Sequence, residues 1–180
     1  MDRHRSERAN KASRGRVRRL KVGAAVSGVL VVAAVIGWFA YRAAADLPGE
    51  KFPDLGNEHI QTATESHTPY NSEPPTSGPH LPYIAPWGVH TRPIPPELQV
   101  HNLEDGGVMV QYNCPCPELV DKLRAVVSRY DKHVILAPYP GMKARIALTA
   151  WTRLERLDEF DEKRIARFID SYRGIDHHKR

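Results

Sequence analysis

The chain has little net charge once its first 21 residues are set aside. Those residues hold nine of the 26 lysines and arginines but two of the 21 acidic residues, so the rest has 17 basic and 19 acidic side chains, a net charge of −2. Such a balance leaves no basic patch large enough to hold a phosphate backbone. The overall charge of +5 therefore does not indicate nucleic-acid binding, and 180 residues are too few for two large domains.

Charged side chains are absent from residues 22–41, and this absence predicts a membrane span. Lys21 and Arg42 flank the twenty uncharged residues, which at roughly 1.5 Å each match a hydrocarbon core of about 30 Å. A cleaved signal peptide is the alternative, but its apolar region is usually shorter, roughly 7–15 residues. Because positive flanks stay in the cytoplasm, residues 1–21 should lie there. We expect a single-pass cell-membrane protein that contacts the lipid bilayer through 22–41 and is extracytoplasmic beyond Arg42.

Prolines are concentrated between residues 46 and 100, where eleven of the fifteen lie. Each removes a backbone donor and fixes φ, so this stretch cannot form long helices or central strands. A disordered linker is one interpretation, but embedded aromatic residues such as Tyr70, Tyr83 and Trp87 favour an ordered irregular segment that wraps on a core. Beyond the membrane we therefore expect a linker, an extracytoplasmic domain and a frayed polar tail, at 42–57, 58–175 and 176–180.

Regular structure is predicted from residue 100 onward. Apolar periodicity predicts three strands and two helices in the order β-α-β-β-α, at 108–112, 117–130, 134–137, 144–151 and 159–173. The predicted fold class is α+β. Its parts are an N-terminal transmembrane helix, a Pro-rich irregular segment, and a small sheet covered by two helices.

Histidines are frequent outside the predicted span, and several of them in a stiff segment suggest a metal site. Five of the nine fall within 43 residues: His59, His67, His80, His90 and His101. His101 and Asp105 share a face whether their stretch is helical or extended, so both can reach one ion. Glu104 is either an acceptor that orients an imidazole or a solvated carboxylate. The alternative for residues 100–107 is a helix-ending turn with polar side chains.

Cys114 and Cys116, the chain's two cysteines, form the other candidate site. Paired cysteines usually oxidise outside the cytoplasm, but a C-x-C disulfide closes a tight ring and is more easily reduced. A redox disulfide, a dithiolate site for Cu(I), and a pair that packs or bridges between chains are three open interpretations. The spacing is not the C-x-x-C of thioredoxin-like oxidoreductases. Because imidazole and thiolate are both present, the predicted ion is copper or zinc.

Three runs of the sequence form a long, specific pattern. They are residues 69–80, which include PPTSGPH, then Trp87-Gly88-Val89, then VHNLE at 100–104. This pattern resembles a bacterial family of membrane-anchored extracytoplasmic proteins of unknown function, DUF3105. The similarity covers about residues 57–175, to the helix that contains Phe160–Ile165. It implies an architecture but no activity.

The resemblance also bears on the metal site. The family pattern reads HNLEHG, whereas this chain has Asp105 in place of the second histidine. The family form, H-x-x-E-H, resembles an inverted zinc-protease signature, for which His80 is the best candidate third ligand. Gly106 and Gly107 follow at once, so no long helix carries the motif. We therefore rank metal binding above catalysis, which would also need an open water position.

Three classes of function stay open. The preferred one is a metal-binding module for copper or zinc, with seven candidate ligands: His59, His80, His101, Glu104, Asp105, Cys114 and Cys116. The second is an enzyme, either metal-dependent at the His101–Asp105 site or thiol-redox at the two cysteines. The third is a structural accessory whose Pro-rich segment docks on a membrane-protein partner.

Overall fold

The computed structural model describes residues 30–38, 41 and 47–178. The chain divides into two compact units, 1–47 and 48–180. Within the first, residues 30–38 are helical and their side chains are exposed. Among the described residues, no helix combines the length and apolar character needed to cross a membrane. The predicted tail at 1–21 and ten of the twenty residues of the predicted span lie outside the described residues, so the membrane anchor stays a prediction.

The second unit is built on a six-stranded mixed sheet. In chain order its elements are β1 Glu50–Lys51, β2 Gly88–Val89, α1 Pro96–Glu104, β3 Val108–Tyr112, α2 Pro117–Val127, β4 Val134–Pro138, β5 Ile146–Ala150, β6 Arg153–Leu157 and α3 Glu162–Tyr172. The strand order across the sheet is β1-β6-β5-β3-β4-β2. The β3–β4 and β4–β2 pairs are parallel, and the other three pairs are antiparallel.

A β-α-β crossover and a hairpin form the centre of the sheet. Helix α2 connects the parallel strands β3 and β4, as it must, since the end of one parallel strand lies far from the start of the next. Strands β5 and β6 are joined by a two-residue turn, Trp151-Thr152, next to the pair Ala150–Arg153. The turn carries Trp151 to the end of the sheet where the candidate site lies.

Both faces of the sheet are covered, so the unit has three layers. On one face, alternate strand residues such as Val110 and Leu148 pack with α2 and α3. On the other, Met109 and Ile135 pack with α1 and with Ile94 of the Pro-rich segment. Because successive strand side chains point to opposite faces, the central strands are buried on both sides.

The predicted α+β class is confirmed, but the prediction of one sheet covered by two helices describes one face only. It omitted β6 because Leu154 and Leu157 are three residues apart among charged residues, which is not a strand period. It left α1 undecided because this helix buries six consecutive residues, Gln99 to Glu104. Polar and apolar side chains therefore do not separate onto two sides, and no amphipathic pattern results.

The Pro-rich segment is irregular yet packed on the core. Residues 52–87 contain no helix or strand apart from an isolated bridge between His59 and His80. Thr76 and Ser77 are fully buried, and the Thr76 carbonyl accepts a hydrogen bond from the Thr152 N–H at 2.9 Å. This arrangement agrees with the prediction of an ordered irregular segment.

Candidate metal centre

The end of α1 supplies three of the candidate ligands. His101 and Glu104 are one helical turn apart, and Asp105 follows, its N–H donating to the His101 carbonyl at 3.0 Å. The helix stops because Gly106 has φ +76°, which glycine adopts without strain. A Cβ on Gly106 would lie 2.6 Å from the Ile175 nitrogen. The glycine therefore also lets the C-terminal segment pass close to this helix end.

The Pro-rich segment adds two histidines that lie side by side. His59 and His80 form a parallel bridge, in which the Ile60 N–H donates to the His80 carbonyl at 2.8 Å and the His80 N–H to the Glu58 carbonyl at 2.9 Å. Residues opposite one another in such a pair project to the same side, and the two ring centroids are 4.9 Å apart. His80 is fully buried, whereas the His59 side chain is 44% exposed.

The Glu104 carboxylate is the centre of the cluster. It is fully buried, and its Oε1 accepts a hydrogen bond from Asn57 Nδ2 at 2.6 Å. Its Oε2 faces four imidazole nitrogens: His80 Nε2 at 2.9 Å, His178 Nε2 at 3.4 Å, His59 Nε2 at 3.8 Å and His101 Nδ1 at 3.9 Å. Only the first of these four distances is short enough for a hydrogen bond.

The hydrogen bonds of His80 fix which nitrogen faces the carboxylate. Its Nδ1 lies 2.7 Å from the Gly78 carbonyl oxygen, which can only accept, so Nδ1 carries a proton. Nε2 is then the atom presented to Glu104. Histidines that bind metals commonly donate their remote N–H to a carbonyl or carboxylate, and His80 is oriented in this way.

His101 brings an unpartnered nitrogen into the same space. The residue is 9% exposed, and its buried Nδ1 has no hydrogen-bond partner among the described residues. A buried polar atom without a partner is uncommon in folded proteins and requires an explanation. An ion bound between this nitrogen and Glu104 would supply one.

Burial lowers the pKa of His101 below its ordinary value of 6.5. The neighbouring His80 and His59 act in the same direction, whereas Asp105 and Glu104 oppose it. The neutral imidazole is the form that binds a metal ion. The environment of His101 therefore favours the state in which it can be a ligand.

The four side chains are close enough to share one ion. One ligand atom from each of His59, His80, His101 and Glu104 lies within 4.8 Å of the others. In a tetrahedral zinc site with bonds of about 2.0–2.1 Å, neighbouring ligand atoms are about 3.3 Å apart. Closing a separation of 4.8 Å to that value takes about 1.5 Å, shared between two side chains. Three imidazoles and one carboxylate are ligand types that suit zinc or copper.

A second group of ligand atoms adjoins the first. His101, Asp105 and His178 each offer one atom within 4.8 Å of the others. His178 Nδ1 donates to Asp176 Oδ1 at 2.7 Å, and this hydrogen bond raises the pKa of His178. Its Nε2 points the other way and lies 3.7 Å from Asp105 Oδ1.

The C-terminal segment is held beside the site, so the prediction of a frayed tail is wrong for residues 176–178. The His177 N–H donates to the Glu104 carbonyl at 2.9 Å. The His177 ring stacks on Trp151, with centroids 5.8 Å apart and an interplanar angle of 19°. The last described residues thus form one wall of the site.

A sequence profile described as "Protein of unknown function (DUF3105)" matches residues 59–179. The chain belongs to this family. The matched range begins at His59 and ends just beyond His178, so it contains both ligand groups of this DUF3105 protein. No curated protein and no solved structure matches the chain. The resemblance noted in the sequence is confirmed at the level of the family, which carries no assigned activity.

The structure brings together five of the seven ligands predicted for this DUF3105 protein: His59, His80, His101, Glu104 and Asp105. Cys114 and Cys116 are instead bonded to each other and pack against the α2–α3 side of the sheet. They are in neither ligand group, and a disulfide offers no thiolate to an ion. His67 and His90 also lie outside both groups.

Sequence reasoning missed His178 and Asn57. His178 falls in the predicted tail, although the pair His177-His178 near the chain end was a visible sign of further ligands. Asn57 falls in the predicted linker, and nothing in its neighbours distinguishes it. Its role, to hold Glu104 Oε1, depends on a contact across 47 residues.

Proposed function

We propose that this DUF3105 protein is a metal-binding module that holds one zinc or copper ion between His59, His80, His101 and Glu104. The supporting observation is the buried, unpartnered Nδ1 of His101, which lies 3.9 Å from Glu104 Oε2. That space is too wide for a hydrogen bond. It is of the size that an ion bonded to both atoms would occupy.

An ion would also compensate the buried charge of Glu104. Removing a carboxylate from water is costly unless partners replace the lost hydration. Asn57 donates one hydrogen bond, at 2.6 Å. His80 Nε2 lies 2.9 Å from Oε2, but with the Nδ1 proton directed at the Gly78 carbonyl, the Nε2 of a neutral ring is itself an acceptor, and the other imidazoles stay beyond hydrogen-bond distance. A divalent cation coordinated by the same carboxylate would replace that hydration and draw the imidazoles inward.

Binding is a better interpretation than catalysis. A catalytic zinc ion usually has three protein ligands and an open position for water, whereas a structural one has four. This cluster offers four, and three of them are buried. The half-exposed His59 is the ligand through which an ion would enter and leave.

We place this module outside the cytoplasm, anchored by residues 22–41 with the N-terminus inside. The charge pattern of the first 42 residues supports this topology, and the Cys114–Cys116 disulfide suits an oxidising compartment. Protease added to intact spheroplasts should digest residues 46–180 and spare the basic tail. Protection of the C-terminal domain would contradict the topology.

Titration calorimetry on the full-length chain, purified without a polyhistidine tag, tests the ion site. His80→Ala and His101→Ala should each weaken binding of Zn(II) or Cu(II) by at least about tenfold, or roughly 1.4 kcal/mol. His90→Ala is the matched control, because it also removes an imidazole, one whose Nε2 donates to the Pro86 carbonyl instead. If both site variants bind like the parent and remain folded by circular dichroism, the proposal is wrong. A structural accessory would then be the preferred function.

A further inference from the structure

We infer that the protein binds a second ion beside the first, held by His101, Asp105 and His178, with the His101 imidazole bridging the two ions. This inference rests on the proposed function, because the first ion takes the Nδ1 side of His101. The second ion would be of the same class, zinc or copper, since its ligands are two imidazoles and a carboxylate.

The two nitrogens of His101 face two different carboxylates. Nδ1 lies 3.9 Å from Glu104 Oε2, and Nε2 lies 4.0 Å from Asp105 Oδ1. Neither distance allows a hydrogen bond. Because the two nitrogens are on different edges of the ring, one ion cannot bind both. The ring is placed between two sites, each with its own acidic ligand.

Asp105 and His178 complete the outer site without taking any ligand from the inner one. The Nδ1–H of His178 is held by Asp176, so its Nε2 is the atom free to bind an ion. That nitrogen lies 3.7 Å from Asp105 Oδ1 and 3.4 Å from Glu104 Oε2, so an ion bound at Asp105 would draw it away from the inner carboxylate. The side chains of Asp105 and His178 are 32% and 42% exposed, and the outer ion should therefore exchange more readily than the inner one.

Backbone hydrogen bonds hold the C-terminal segment beside the outer site, where it can supply His178 as a ligand. The His177 N–H is bonded to the Glu104 carbonyl, and the Gly174 N–H to the Gly106 carbonyl at 2.7 Å. These bonds fix the chain on both sides of Ile175 against the end of α1. His178 therefore reaches the outer site from a backbone that is already tied to the helix supplying His101 and Asp105.

The charges also suit two ions. Glu104 supplies one negative charge to the inner site and Asp105 one to the outer site. Bridging removes the remaining proton from the His101 ring, which adds a third negative charge shared by both ions. Two divalent cations are thus largely neutralised by side chains of this chain, and the displaced proton is released to solvent.

The test counts ions on the full-length chain, purified without a tag and titrated with Zn(II) alone or Cu(II) alone. The parent should bind two ions, and Asp105→Asn and His178→Ala should each bind one. His177→Phe is the matched control, because it changes the neighbouring histidine yet keeps a ring on Trp151, and it should bind two. Two Cu(II) ions joined by one imidazolate are magnetically coupled. The electron paramagnetic resonance signal of the parent should therefore account for less than its copper content, and that of Asp105→Asn for all of it.

The outcomes separate this inference from the proposed function. A parent that binds one ion, weakened at least about tenfold in His80→Ala but unchanged in His178→Ala, overturns the second site and leaves the first. A single ion weakened by His178→Ala also overturns it, since His178 would then be a ligand of one common site. A parent that binds no ion overturns both. Asp105 caps α1 through its backbone, so Asp105→Asn should keep the fold.

Discussion

Zinc should raise the melting temperature of the domain, and His80→Ala should remove about half of that rise. An ion that binds only the folded state at 100 times its Kd adds about 2.7 kcal/mol to the free energy of unfolding. In a unit the size of residues 48–180, each kcal/mol shifts the melting temperature by about 3–5 °C. The expected rise for the parent is therefore on the order of 10 °C.

The variant is compared with the parent at the same free zinc concentration. If loss of the His80 imidazole weakens binding tenfold, the same zinc concentration is 10 times the Kd of the variant. Zinc then adds about 1.4 kcal/mol to the variant's free energy of unfolding and raises its melting temperature by about 5 °C. His80 is fully buried, so its removal also leaves a cavity that destabilises the metal-free protein. The quantity to compare is therefore the difference between zinc-loaded and chelator-treated samples of each protein.

Differential scanning calorimetry measures both pairs of melting temperatures, and His90→Ala should behave like the parent. Equal zinc-induced rises in the parent and in His80→Ala would refute the reasoning. Such a result would mean that zinc stabilises the fold through residues other than the buried cluster.

Three further expectations can be checked separately. Asp105→His, which restores the residue of the family pattern, should keep or raise metal affinity in calorimetry, and a tenfold loss would count against Asp105 as a ligand position. In the metal-free protein, NMR should find the pKa of His101 below 6.5, because burial disfavours the charged ring. Since the unfolded chain takes up that proton more readily, His101 contributes stability above about pH 6.5 that is lost as the pH falls through its folded pKa. Under mild reductant the number of free thiols found by titration should rise from zero to two per chain, while the far-ultraviolet circular dichroism spectrum stays unchanged. The spectrum should not change because the Cys114–Cys116 link closes too short a loop to constrain much chain entropy. Two free thiols before reduction would contradict this prediction.

Much of the sheet could be predicted because its pattern is local. In β3, Val108 and Val110 alternate with residues buried on the other face, and Gly106-Gly107 mark its start. In β6 the alternation typical of a strand is absent, because the two buried leucines stand among the charged residues Arg153, Glu155 and Arg156. The helical α1 also could not be predicted, because its burial comes from the Pro-rich segment and the sheet together.

The candidate site also has a part that could be predicted from local sequence and a part that could not. The approach of His101 to Asp105 follows from their spacing, and the stiff segment before His80 made that residue a good candidate. The central position of Glu104 could not be read from the sequence, because its burial depends on Asn57, His80 and the C-terminal segment arriving from distant parts of the chain. His178 was missed for the same reason.

The wide separation of the ligands along the chain has a consequence for the nascent protein. By the time synthesis reaches Glu104, all four residues proposed to hold the inner ion exist, but strands β3 to β6 do not. The surface that orients α1 and presses the Pro-rich segment onto it is made afterwards, and His178 comes almost last. A nascent chain that ends before β3 therefore carries the four candidate ligands without their arrangement, and under the proposed function tight binding of an ion has to wait until the domain is complete.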